Sequence, residues 1–241
     1  MCGINIMNVS KKYNIDNKNI VVLNNINLNI DENKITIILG KSGCGKTTLL
    51  RILGGLEKCD CGNIQYENIE KLAYVFQEPR LMPWLNVEKN IKFGLNKEEI
   101  DDEKIKSIIN TVGLSSFEKA NIQQLSGGMQ QRVSIGRALA FEPSFILMDE
   151  PFSALDYFTR EQMQNELLKI KNKSNCGILF VTHSIDEAIR LGDKIIILED
   201  GNIKDTFVIE ENQLSRNLLE EKYILIKQEI LDKLNFKGVK L

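Results

Sequence analysis

No run of apolar residues in this chain comes near the roughly 18 needed to cross a bilayer; the longest are short stretches such as "LAYVF" and "IIIL". The chain is therefore expected to be soluble. Its opening, "MCGINIMNVSKKY", alternates apolar and polar residues and has no basic stretch followed by an apolar one, so no targeting peptide is expected. An excess of one charge is missing too, with 31 basic residues against 33 acidic ones. Such a balance gives no global positive field of the kind that gathers nucleic acid, and no nucleic-acid partner is expected. Cysteine is sparse: Cys2, Cys44, Cys59, Cys61 and Cys176 form an odd, scattered set, which favours reduced thiols. The pair in "CDCG" suits neither a zinc knuckle, which wants a second pair elsewhere, nor an easy disulfide, and reads as a surface turn. Internal repeats and low-complexity linkers are absent, and 241 residues suffice for one domain with a large core.

What is present is an alternation of strands and helices. "VVLNNINLNI" places Leu23, Ile26, Leu28 and Ile30 near period two, and with "INIMNVS" it predicts an antiparallel sheet at the N-terminus. "ITIIL", "FILMD" (145–149), "ILFVT" (178–182) and "KIIILED" (194–200) are apolar runs of the kind buried on both faces of a parallel sheet. The fold class is thus α/β, with a mainly parallel sheet whose carboxyl ends carry the ligand, an antiparallel N-terminal β subdomain and an inserted helical stretch over about 78–140. Residues 1–241 read as one domain. "LEDGN" reverses the last strand, and residues 214–236 form an amphipathic helix bearing Leu219, Tyr223, Ile226, Ile230 and Leu234.

"GKSGCGKT", residues 40–47, follows "ITIIL" directly and leads into "TTLLRILGG". A strand, a glycine-rich loop and a helix in that order form a phosphate-binding loop with the helix N-terminus facing the anion. Gly40, Gly43 and Gly45 let backbone amides turn inward, Lys46 offers a point charge to the β and γ oxygens, and Thr47 offers a hydroxyl to magnesium. Lys41, Ser42, Cys44 and Thr48 complete the nucleotide-binding candidates; Cys44, beside amides and a lysine, is expected to favour thiolate. "FILMDEP" adds Asp149 for the magnesium shell and Glu150 to polarise the attacking water, with Pro151 ending the strand. His183, the only histidine, lies just past "ILFVT", where it could reach a γ-phosphate or a water.

"LSGGMQQRVSIGRALA", residues 125–140, is a second serine-glycine turn opening a helix. By itself it reads equally as a capped helix start, with Ser126 as the cap, or as a phosphate-facing turn formed by Ser126, Gly127 and Gly128. The ordered set "GKSGCGKT", Gln77 in "VFQEPRLMPWLNV", "LSGGMQQR", "FILMDEP", "SALD" and His183 resembles the ATP-binding subunits of ABC transporters, from about Tyr13 to Gly201. Met129 departs from the glutamine many members carry there, and matches an importer subgroup. The resemblance implies ATP and Mg2+ as ligands, Tyr13 stacking on adenine, Gln77 sensing magnesium and water as a ligand of the metal, and Asp156 facing a partner subunit. It implies also that two copies pack head to tail when ATP is bound, the "LSGG" turn of one covering the γ-phosphate held by the other.

"RLMPW" resembles the ATPases of importers for nitrate, sulfonates and taurine. In that reading Leu81, Met82, Pro83 and Trp84 form a groove for a permease helix; the alternative is that Trp84 is core. The implied protein hydrolyses ATP at the cytoplasmic face of a membrane, with permease subunits and, indirectly, an extracytoplasmic solute-binding protein. The alternatives are an importer of another solute such as a vitamin precursor, a soluble ABC ATPase acting on DNA or ribosomes, or a nucleotide-gated module without turnover. Glu150 and His183 argue against the last, and a metabolic phosphotransferase would have no use for "LSGGMQQR".

Overall fold

The structure is a computed structural model that describes residues 3–173 and 176–234, so Cys2 and the final two positions of the expected C-terminal helix lie outside the described residues. The chain divides into two compact units, one formed by Met1–Ile69 with Gly177–Leu241 and the other by Glu70–Cys176. Elements are numbered along the chain.

In the first unit, β1 (Gly3–Ile15) pairs antiparallel with β2 (Lys18–Asp31) on one side and with β4 (Cys61–Tyr66) on the other. Leu23 and Ile26 are three residues apart and both buried, whereas strict alternation would put them on opposite faces. The register shifts between the Val9–Ile26 and Lys11–Leu23 pairs resolve this. At the bulge Asn25 takes a left-handed φ of 50° and its amide donates to Ser10 Oγ at 2.9 Å. A second shift lies at Asn8, φ 53°, whose amide donates to Asn27 Oδ1 at 2.9 Å. Asparagine tolerates that conformation where a β-branched residue would not, so Asn8 and Asn25 serve as the bulge residues of these strands.

The same unit contains β3 (Ile35–Leu39), buried along its whole length, which runs parallel to β7 (Gly177–Thr182) and β8 (Lys194–Glu199). β9 (Asn202–Val208) returns antiparallel to β8 through a turn with Asp200 and Gly201 at positive φ, as "LEDGN" predicts. α1 (Lys46–Leu53) follows β3, and α6 (Ile185–Leu191) follows β7. α7 spans Glu221–Lys233, shorter than the expected 214–236. Asn212 and Asn217 account for the late start: their side chains accept the amides of Leu214 at 2.9 Å and Leu219 at 3.1 Å, which competes with helix formation. Leu219 consequently precedes the helix and is exposed, while Tyr223, Ile230 and Leu234 are buried.

In the second unit β5 (Leu72–Val75) runs parallel to β6 (Phe145–Asp149). Helices α2 (Val87–Lys92), α3 (Asp102–Thr111) and α4 (Gly127–Ala140) occupy the stretch expected to be helical, and α5 (Tyr157–Lys173) follows β6. Each helix of that stretch starts on a short polar cap: Asn86 for α2, Asp101 for α3 and Ser126 for α4, each side chain accepting an amide of the first turn.

Candidate functional site

In the first unit the register pairs Leu39 with Thr182, so Gly40 and His183 are the next residues past the carboxyl ends of neighbouring parallel strands. Two glycines of the loop hold backbone that other residues rarely adopt, Gly43 at φ 81° and Gly45 at φ 106°. Gly40 is needed for space instead: a Cβ there would lie 2.3 Å from the Leu198 carbonyl oxygen. Lys46 is buried, and its ammonium donates to the carbonyl oxygens of Gly40 and Lys41, both at 2.8 Å. α1 has Gly45 as its N-cap, so no cap side chain takes up the amides of the first turn. A positively polarised helix start without a capping oxygen, beside a fixed ammonium, fits the phosphates of a nucleotide. Thr47 and Thr48 stand half-buried in that turn, and Lys41 and Ser42 are exposed.

Cys44 does not behave as expected. Its sulfur is buried 4.0 Å from the Lys46 ammonium, and burial pushes the thiol up more than the lysine draws it down. The Lys46 ammonium donates to the Cys44 sulfur as well as to the two carbonyl oxygens, but burial outweighs it, so Cys44 is held as a neutral thiol rather than the thiolate that proximity in sequence implies.

Tyr13 lies on β1 with its ring half-buried. Its hydroxyl donates to Glu57 Oε1 at 2.5 Å, and the Lys11 ammonium sits 3.3 Å from Glu57 and 5.4 Å from the ring centroid. Burial and then Glu57 raise the Tyr13 hydroxyl above its ordinary value. The ring is thus tethered by its far end.

In the second unit the register pairs Val75 with Met148. Asp149 therefore closes β6 and Glu150 follows it, while Gln77, exposed, lies just past the carboxyl end of the adjacent parallel strand β5. Asp149 is buried. Glu150 takes a φ of 44°, unusual for its residue type, and its carbonyl accepts from the Ser153 amide at 3.2 Å and hydroxyl at 2.9 Å. Asp156 is exposed and caps α5 through the Thr159 amide at 3.1 Å; hydrogen bonds from Thr159 hold its carboxyl below the usual range.

Around Gln77 the backbone is held by side chains from other elements. Gln131 of α4 donates to the Phe76 carbonyl at 3.0 Å, and Arg137 donates to those of Pro79 at 3.2 Å and Arg80 at 3.1 Å. Asn90 of α2, fully buried, accepts the Met82 amide at 2.8 Å and donates to the carbonyls of Met82, Leu85 and Asn86. The loop so formed presents Trp84 with 74% of its surface exposed, which removes the core alternative for that residue.

Ser126 caps α4 through the Met129 amide at 3.3 Å, as the capping reading has it. Gly128 faces Leu155 and Ala154, where a Cβ would be tight. Gly127 differs: its φ is not in the left-handed region, and an added Cβ would meet nothing within 4 Å. Neither backbone nor packing within the chain calls for glycine at a position where helix propensity disfavours it. Glu57 and Asn90 carry no motif signal, and Gln131 and Arg137, though they lie within "LSGGMQQRVSIGRALA", give no sign in sequence of the backbone they hold; all four reach their partners only in the folded chain.

The sequence profile of the ABC transporter family matches residues 23–153. An uncharacterized ABC transporter ATP-binding protein of Methanocaldococcus jannaschii is 43% identical over 250 residues, covering 96% of this chain and 94% of its own. The aliphatic sulfonates import ATP-binding protein SsuB of Bacillus thuringiensis subsp. konkukian is 38% identical over 244 residues, covering 98% and 97%. The spermidine/putrescine import ATP-binding protein PotA of Desulfitobacterium hafniense is 40% identical over 214 residues, covering 83% of this chain and 60% of its own. Among solved structures, a dimeric ATP-binding cassette in a post-hydrolysis state, bound to ADP and Pi, superposes with a TM-score of 0.79 at 33% identity, covering 86% of this chain and 99% of that one. With a phosphate loop, an acidic strand end and an "LSGG" helix start in place, the chain belongs to the ABC transporter family as an ATP-binding, ATP-hydrolysing subunit.

Proposed function

We propose that this chain powers the import of a small solute of the sulfonate, nitrate or taurine kind, two copies closing head to tail on ATP. The observation that carries the dimer is Gly127, a glycine at the helix start that nothing inside the chain requires and whose open side leaves room for a partner's phosphate. One phosphate loop and one "LSGG" turn per chain then complement each other across an isologous pair. That the solved neighbour is described as dimeric supports the same arrangement.

ATP supplies the phosphoryl group that passes to water, and Mg2+ neutralises charge on its oxygens. The amides of Gly40–Thr48 and the Lys46 ammonium bind the phosphates. In the first unit Thr47 would offer the metal its hydroxyl, and in the second Gln77 and the buried Asp149 carboxylate would offer it oxygens. Glu150 accepts the proton of the attacking water, and His183 orients the reacting group. Tyr13, fixed by Glu57, stacks on the base, while Ser126, Gly127, Gly128 and Asp156 face the partner. Residues 1–241 act as one ATPase whose helical stretch, about 78–140, presents the Trp84 loop to a permease at the cytoplasmic face of the membrane; a solute-binding protein delivers the solute on the other side. The similarity to a spermidine/putrescine import protein favours a second reading in which the solute is a small cation.

The molar mass of Glu150→Gln by light scattering tests the pairing, because loss of the water-activating base traps the closed state. Monomer without ATP and dimer with it is the expected result; monomer under both conditions, with ATP bound, would sink the head-to-tail reading. Uptake of labelled sulfonate against spermidine in cells with and without the chain separates the two solutes.

A further inference from the structure

β7 ends at Thr182 and α6 begins at Ile185, so His183 sits in a two-residue joint. The joint is closed by a ring of hydrogen bonds. Thr182 Oγ1 donates to Glu187 Oε2 at 2.6 Å and accepts the Ser184 amide at 3.0 Å, and Ser184 Oγ accepts the Glu187 amide at 3.3 Å. Thr182 and Glu187 are both buried, whereas His183 between them is exposed. A buried carboxylate is costly to desolvate, and folding α6 does not require one. Its apolar face is already supplied by Ala188, Ile189 and Leu191, and Asp186 already places an acid in the first turn. The far end of α6 is fixed as well, because Arg216 donates to the carbonyls of Ile189 at 2.7 Å and Gly192 at 2.6 Å. The helix that carries Glu187 is therefore a rigid base.

We propose that Thr182 and Glu187 are positioning residues for His183. The hydroxyl–carboxylate bond spans the joint from beneath and sets the backbone on both sides of His183, so the imidazole is presented past the carboxyl ends of β3 and β7 in one orientation. This rests on the reading of His183 as a residue of the reaction site.

Steady-state ATP hydrolysis by the purified full chain tests it in a mutant cycle. Thr182→Val, which removes the hydroxyl, lowers kcat by about tenfold with KM for ATP changed less than about twofold, and Thr182→Ser restores most of the rate. In a His183→Ala background the same Thr182→Val change costs less than about twofold, because the group being positioned is gone. Equal losses in both backgrounds, or a raised KM at unchanged kcat, would overturn the proposal. Should Thr182→Val fail to fold, Glu187→Gln carries the cycle, since it keeps an acceptor oxygen for Thr182 but forfeits the charge; it then gives a smaller fall in kcat that likewise vanishes without His183. If His183→Ala alone leaves kcat intact, the role of His183 fails, an outcome distinguishable from failure of the positioning.

Discussion

Cys44 sits inside the phosphate loop and is nonetheless screened from solvent, whereas Cys61 is exposed on β4. Burial raises the Cys44 thiol, so it is neutral at pH 7 and stays so until pH passes above its ordinary 9.0. Iodoacetamide followed by peptide mass analysis should therefore label Cys61 first and leave Cys44 intact in the folded chain at pH 7; equal labelling rates would refute this. Two glycines offer a sharper contrast. Gly45→Ala is expected to destabilise the loop, because φ is 106° and the new Cβ meets the Val22 carbonyl at 2.6 Å. Gly127→Leu should unfold at the wild-type urea midpoint, since nothing lies within 4 Å of an added Cβ, yet lower ATP hydrolysis by blocking the cradle it lends to a partner. At this scale the sequence reveals a feature when it is local: the loop is legible because strand, glycines and helix start are consecutive. Glu57 is not, because it meets Tyr13 across 44 residues of chain.

Helices and loops bring a different kind of dependence, in which one polar side chain holds the backbone of another element. Arg216 is buried, and besides the α6 carbonyls it donates to Ile209 at 3.2 Å and Glu211 at 2.7 Å. Arg216→Ala leaves several of these oxygens unpaired, and a loss of roughly 2–4 kcal/mol in urea denaturation is expected. Asn90 plays the same part under the Trp84 loop. Trp84→Ala, by contrast, removes a side chain already in solvent and should leave soluble ATPase activity near wild type while abolishing co-purification with the permease; loss of both would place Trp84 within the catalytic fold. β3, β6, β7 and β8 were legible as apolar runs, and α4 from its serine-glycine start. β4 and β5 were not, since β4 is a largely exposed strand without alternation and β5 has four residues. The C-terminal helix was overestimated because apolar spacing carries no trace of two asparagines that take up backbone amides.

Over the whole molecule, pH acts on stability from both sides. Asp60, Glu99, Asp102 and Asp205 all have carboxyls held below their ordinary 3.8 or 4.5, each by a lysine or a backbone amide. A depressed folded value contributes stability that is complete above the ordinary value and lost as pH falls through the lower one. Asp60, Glu99 and Asp102 are exposed and Asp205 is half-buried, so each contribution is small and weakened by salt. Cys176 works in the opposite direction: burial pushes it from 9.0 up to about 12, so its contribution is complete below pH 9 and lost as pH rises through about 12. Urea midpoints should be flat near neutrality and fall below about pH 4 and above about pH 9, with Cys176→Ala softening only the alkaline fall.

The vacant side of Gly127 also has a consequence for genetics. On the proposed head-to-tail pairing, a subunit blocked there spoils the cradle it lends, not the loop it keeps, so the damage falls on whichever chain it joins. With equal amounts of blocked and intact subunits, random pairing leaves about a quarter of the pairs whole and about half with a single working cradle. Uptake at about a quarter of normal would mean that one failed cradle silences the pair, and uptake at about half that each fires alone. Gene dosage alone would then report whether the two ATP molecules are spent together or independently.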